Sequence, residues 1–332
     1  MDWVTGDFDP FEVREPDTQT IPFVFNSPHS GRSYPQAFLD ASRLDALGIR
    51  RSEDHFVDEL FADAPLFGAP LLVAHFPRAY LDVNREPYEL DPRMFDSALP
   101  SYANIGSMRV AGGLGTVPRI VAENMEIYRH RLPVSEALDR VEMIYKPYHA
   151  CLRRLIARTH ARFGLAILID CHSMPGNIRL SGSDLRPDFI IGDRYGTSAS
   201  AELSRAALHV LEDMGFNAVR NKPYAGGFIT EHYGRPVRGL HALQIEVNRA
   251  LYVDEMTLDE LTVSEYLRFK ELLVDESYIV SISSISEFWF QDFMFVSMDR
   301  IQCEILRESY DSKKQEIWFI FIKEFEGKNQ QN

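Results

Sequence analysis

The chain has 332 residues, 45% hydrophobic and 25% charged, the balance of a folded protein long enough to bury a large core. A formal net charge of −14 repels phosphate backbones and no Lys/Arg run supplies a basic patch, which excludes nucleic acid as a partner. Cys151, Cys171 and Cys303 fit neither a disulfide framework nor a CxxC zinc knot, the N-terminus lacks a secretory pattern, and no apolar stretch is long enough to span a membrane, so a cytoplasmic protein is expected.

In chain order, apolar runs alternate with helical patterns, which predicts one α/β domain over residues 1–276 around a mixed, mostly parallel sheet. IPFVFN (21–26), LLVAHF (71–76) and AYLDV (79–83) read as buried strands. The Pro-, Gly- and Arg-rich stretch 86–134 reads as an excursion over the sheet edge that builds a cleft wall. A helix follows over 135–162, capped by Ser135 and kinked at Pro147. LAILID (165–170) and DFIIG (188–192) are the next strands, then a helix over 198–214 that stops at Gly215. HALQIEV (241–247) is the last strand, and Thr257 to Glu260 reads as the capping box of a further helix. From residue 277 the chain contains no Ala or Pro, and 277–332 reads as an appended tail of separate origin.

Five runs end in chemically capable residues: PHSG (28–31), DVNR (82–85), DCHS (170–173), GDR (192–194) and EVNR (246–249). Ligands of open α/β sheets bind beyond the carboxyl ends of strands, so one shared site is expected. His29 and His172, each just past a strand, are the natural nitrogen ligands of a hydrolytic zinc, which leaves a position for a water of pKa about 7. The third ligand should be a carboxylate from Ser52-Glu53-Asp54-His55; Glu53 and Asp54 equally suit the first turn of a helix, and spacing does not choose between them. Glu246, between Ile245 and Val247, is the candidate base, since burial raises a carboxyl toward useful values. Arg85, after Asn84, offers a fork for a substrate carboxylate, and Arg78, Arg109 and Arg249 are further candidates. The loop from Tyr224 to Thr230 combines Gly226 and Gly227 with a hydroxyl, as close approach of backbone to a ligand requires, although a tight turn explains it almost as well. Cys171 beside His172 is no nucleophile and base pair, because neighbours on an extended segment face opposite ways.

With SPHSG at 27–31, SEDHFVDELF at 52–61, YLDVNR at 80–85, GLGTVPR at 113–119, DCHS at 170–173, GGFITEHYG at 226–234 and QIEVNRALYVDE at 244–255, the sequence resembles the N-formylglutamate amidohydrolase family over roughly residues 20–275. The resemblance implies a three-layer α/β/α fold of the phosphorylase/hydrolase-like kind, similar to zinc carboxypeptidases and aspartoacylases. It implies hydrolysis of a small anionic N-acyl amino acid, N-formyl-L-glutamate, at the end of one histidine-degradation route. By the same resemblance His29, Asp54 and His172 hold Zn2+, Asp54 being favoured over Glu53, Glu246 is the base, and Asn84 with Arg85 clamps a carboxylate.

Overall fold

The computed structural model describes residues 9–180, 182 and 185–260. Its sheet has seven strands in the order β1-β3-β2-β6-β9-β7-β8. In the chain these are β1 Phe11–Arg14, β2 Phe23–Ser27, β3 Leu71–Ala74, β6 Ala166–Met174, β7 Phe189–Gly192, β8 Ala218–Arg220 and β9 Leu240–Asn248. Two small hairpins lie outside the sheet, β4 Ile120–Ala122 with β5 Met125–Glu126, and β10 Val253–Asp254 with β11 Asp259–Glu260. Pairing is parallel across β3, β2, β6 and β9 and between β7 and β8, but antiparallel for β1 with β3 and for β7 with β9. The expected mixed, mostly parallel sheet is present.

Alternation along the strands sorts the core into two layers. Val24, Leu72, Leu168 and Ala242 join one apolar cluster with the helical segment 134–163, whose Val141, Tyr148, Leu152 and Leu155 pack there. Phe23, Ile167, Ile169, Cys171 and Leu243 join the other with Leu203 and Leu211 of the helix Ala201–Asp213. Burial of each Val, Leu, Ile or Phe side chain among them contributes roughly 1.5–3 kcal/mol, so the sheet is held from both faces.

Several elements differ from expectation. AYLDV is no strand: after Pro77 the chain turns, with Tyr80 and Leu81 donating to the Pro77 carbonyl, and its apolar residues fill the core from a loop. The helix after the excursion starts at Val134 behind Pro133, so Ser135 lies inside the first turn and caps nothing. It widens into a π turn over Val141–Tyr145 before continuing as Lys146–Phe163. Pro147 supplies the reason, because it has no N–H for the preceding turn. Ser200 caps Ala201–Asp213, and Gly215 takes a φ of 87° beyond its end as expected. Thr257 to Glu260 is not a capping box: Leu258 has a φ of 64°, and the segment turns into β11. β1 and β8 escaped the sequence reading because they have only 4 and 3 residues. The segment 277–332 lies outside the described residues.

Candidate metal centre

β6 and β9 are nine-residue strands paired in parallel register, Asp170 opposite Gln244 and His172 opposite Glu246. With a side-chain period of two, these four polar residues share one face of the sheet. On the other flank of β6, Asp170 is the register partner of Asn26 in β2. His172 therefore sits inside β6, not beyond a strand as the sequence suggested, and Glu246 sits inside β9 as the run 241–247 implied. His29 does follow β2, and its carbonyl accepts the Asp54 N–H at 3.0 Å, which fixes the segment carrying Asp54 beside it.

His29, Asp54 and His172 bring one ligand atom each to within 4.8 Å of the others, all three residues buried. His172 Nδ1 lies 2.9 Å from Asp54 Oδ2, and His29 Nδ1 lies 3.4 Å from the same oxygen. The far nitrogens are engaged by carboxylates: His29 Nε2 donates to Asp82 at 2.8 Å and His172 Nε2 to Asp170 at 2.9 Å. Each ring so held turns Nδ1 toward Asp54, the arrangement by which outer carboxylates orient metal-binding imidazoles. Burial opposes charge on Asp54, yet the hydrogen bond from His172 and the nearby His29 keep its carboxyl well below the usual range. Burial likewise opposes charge on Asp82, and Arg85, His29 and Arg78 overcome it. Despite burial, Asp170 and Asp54 hold the His172 imidazolium well above its ordinary range.

These residues fit a metal cation. His29 Nδ1 is buried with no hydrogen-bond partner, an unsatisfied lone pair facing two further donors. Two imidazole nitrogens and one carboxylate oxygen form a donor set that leaves room for a further ligand. Glu53 is elsewhere: it accepts from Tyr34 at 2.6 Å, takes Arg50 at 3.1 Å and sits 3.1 Å from His55.

Glu246 is buried beside this centre, and burial pushes its carboxyl up to about 8, with Asp54 adding to the rise and His172 and Arg78 opposing it. Arg78 donates to Asp82 at 3.1 Å; burial would lower its pKa, but Asp82, Asp54 and Glu246 together raise it. Arg85 is almost buried, with Nε donating to the Leu114 carbonyl at 2.8 Å, Nη1 to the Asn84 carbonyl at 2.7 Å, and Nη2 3.4 Å from Asp82. Burial lowers its pKa to about 10. Arg109 on the excursion reaches Glu89 at 3.7 Å.

A sequence model of the N-formylglutamate amidohydrolase family matches residues 21–253. The chain belongs to that family. It is 30% identical to the N-formylglutamate deformylase of Pseudomonas putida over 238 residues, 71% of this chain and 83% of that one. The enzyme of the same name from Pseudomonas aeruginosa is 29% identical over the same shares. Among solved structures, the N-formylglutamate amidohydrolase of Ralstonia eutropha JMP134 superposes with a TM-score of 0.75 at 31% identity, covering 84% of this chain and 98% of that one. The product Atu2144 of Agrobacterium tumefaciens, 19% identical with a TM-score of 0.57, shares the fold over 84% of this chain and 98% of its own. The resemblance carried by the seven motifs is thus borne out, and with it the amidohydrolase class.

Within this N-formylglutamate amidohydrolase fold the remaining expected residues are hydrogen-bonded to other parts of the chain. Asn84 spends its amide inside the protein, Nδ2 donating to Asp170 at 3.2 Å and Oδ1 accepting the Ile229 N–H at 2.7 Å. Gly227 donates its N–H to Gln244 at 2.8 Å, and a Cβ there would overlap the Asn84 amide. Thr230 Oγ1 donates to the Gly227 carbonyl at 2.9 Å. Arg249 donates to the Glu53 carbonyl at 3.2 Å. Asp193 of the GDR cluster lies apart, bonded to Asn221, Ser204 and Arg220, because β7 runs antiparallel to β9 and its carboxyl end points away. Sequence reasoning missed Asp82, Asp170 and Gln244 as partners of site residues. For the last two the signal was present, since Asp170 precedes His172 by two and Gln244 precedes Glu246 by two, which on a strand means the same face.

Proposed function

We propose that the chain hydrolyses N-formyl-L-glutamate to formate and L-glutamate, with zinc held by His29, Asp54 and His172. The observation that carries this reading is the convergence of two carboxylate-held imidazoles and Asp54, next to a buried Glu246, in a chain of this family. Nitrogen and carboxylate donors in that number suit zinc. A zinc ion, when bound, supplies a Lewis acid that polarises the formyl carbonyl and acidifies water.

The chain's own residues do the rest. Glu246 takes a proton from the water aimed at the formyl carbon, and its raised pKa of about 8 lets it hold that proton near neutral pH. As the C–N bond breaks, Glu246 gives the proton to the departing amine. Asp82 and Asp170 keep the imidazole rings fixed throughout. Arg85 and Arg109, with Arg78 nearer the centre, bind the two substrate carboxylates through the N–H groups not already engaged. Asn84, Gly227 and Thr230 shape the wall, since their polar groups are bonded within the protein. The reaction then belongs to histidine degradation in the cytoplasm.

Formate release from N-formylglutamate, with and without a chelator and after zinc is restored, tests the reading. Glu246→Gln should keep the metal and lose about 10²–10⁴-fold in kcat, whereas His172→Ala should lose both. Cleavage of N-acetylaspartate without turnover of N-formylglutamate would refute the substrate, and full activity in Glu246→Gln would refute the base.

A further inference from the structure

Gln244 is a buried amide between the candidate base and the glycine loop. Its Oε1 accepts the Gly227 N–H at 2.8 Å. A backbone N–H can only donate, so the amide orientation is determined and Nε2 must be the end that faces Glu246. That nitrogen donates to Glu246 Oε1 at 2.7 Å. An oxygen held by a fixed donor is a poor place for a proton, which leaves Oε2 as the atom that exchanges it. The other end of the connection reaches the metal ligands: Gly227 packs against the Asn84 amide, and Asn84 donates to Asp170, the carboxylate behind His172.

We infer that Gln244 is a positioning residue, which orients Glu246 for proton transfer at Oε2 and fixes the base relative to the loop 226–230 and the His172 side of the centre. The inference rests on Glu246 being the base. Losing the donor leaves the carboxylate free to rotate, so proton transfer suffers while substrate binding does not.

The test is Gln244→Met, which keeps the volume and removes both polar ends, assayed in the zinc-loaded full chain. The expected result is a fall in kcat of about 10–100-fold, smaller than the roughly 10²–10⁴-fold that loss of the base itself would cost, with KM and bound metal close to the parent's. In the metal-free protein the infrared band of Glu246, identified by its absence in Glu246→Gln, should shift in Gln244→Met. If Gln244→Met folds poorly, Gln244→Leu removes the same two polar ends with a shorter side chain, and the same loss in kcat is expected. A parent-like kcat and an unshifted band in either folded variant overturn the inference. Full activity in Glu246→Gln sinks the base assignment instead, so the two failures are distinguishable.

Discussion

Replacing Asp170 by Asn would separate the metal ligand from the group that holds it. The carboxylate takes three donors: Asn26 Nδ2 at 2.7 Å on Oδ1, and Asn84 Nδ2 at 3.2 Å with His172 Nε2 at 2.9 Å on Oδ2. An asparagine has one acceptor atom and one donor group, so in either orientation a buried donor meets its NH2. One lost and one repelled hydrogen bond cost about 1–3 kcal/mol of stability. The ring of His172 also loses its charged partner, and such outer-carboxylate substitutions weaken metal binding about 10–100-fold, or roughly 1.4–2.7 kcal/mol at 1.36 kcal/mol per decade. Zinc affinity by competition with a chromophoric chelator measures the second effect, and urea unfolding of the metal-free chain measures the first. A folded Asp170→Asn chain with parent-like zinc affinity would refute the reasoning that this carboxylate orients the ligand.

Two further outcomes follow from buried groups. His149 accepts from Tyr233 at 2.9 Å and donates to the Val83 carbonyl at 2.8 Å, and burial lowers its pKa to about 4. The folded state thus binds fewer protons than the unfolded state between pH about 6.5 and 4, so stability is present above that window and lost as pH falls through it; lowering pH from 7 to 5 should cost about 2 kcal/mol, and His149→Gln should remove that part of the dependence in urea unfolding. Arg85→Lys keeps the charge but cannot reproduce the bonds to Leu114 and Asn84, so KM for the dianionic substrate should rise about tenfold with kcat little changed; an unchanged KM would remove Arg85 from substrate recognition.

The centre of the sheet was legible because its strands are apolar on both faces and end in polar residues that have no place in a core. The runs 21–26, 71–76, 165–170, 188–192 and 241–247 all overlap strands of the sheet. AYLDV failed because burial, which the run did report, does not distinguish a strand from a loop folded into the core. The choice between Glu53 and Asp54 was illegible for a different reason. Neighbouring residues share every feature that spacing can test, and what separates them is the backbone bond from Asp54 to His29 and the Tyr34 and Arg50 partners of Glu53. The resemblance favoured Asp54, and the structure brings Asp54 to the two histidines.

Under the proposed function, a chain of net charge −14 must bind a dianion through a few local arginines. Of Arg78, Arg85 and Arg109, none is an unpaired cation: Arg78 and Arg85 both lie against Asp82, and Arg109 lies against Glu89. Unpaired, a cation buried as deeply as Arg85 would cost several kcal/mol. The same carboxylate that neutralises Arg78 and Arg85 also holds His29. Asp82 therefore links Arg78 and Arg85 to His29. Under the proposed function, recognition comes from the direction of the remaining N–H groups on planar forks that are already fixed, which selects for the geometry of a carboxylate and discriminates poorly by charge alone. Fixing the forks in advance also reduces the ordering cost of binding, so the local arrangement can outweigh a repulsive net field that salt screens beyond about 10 Å.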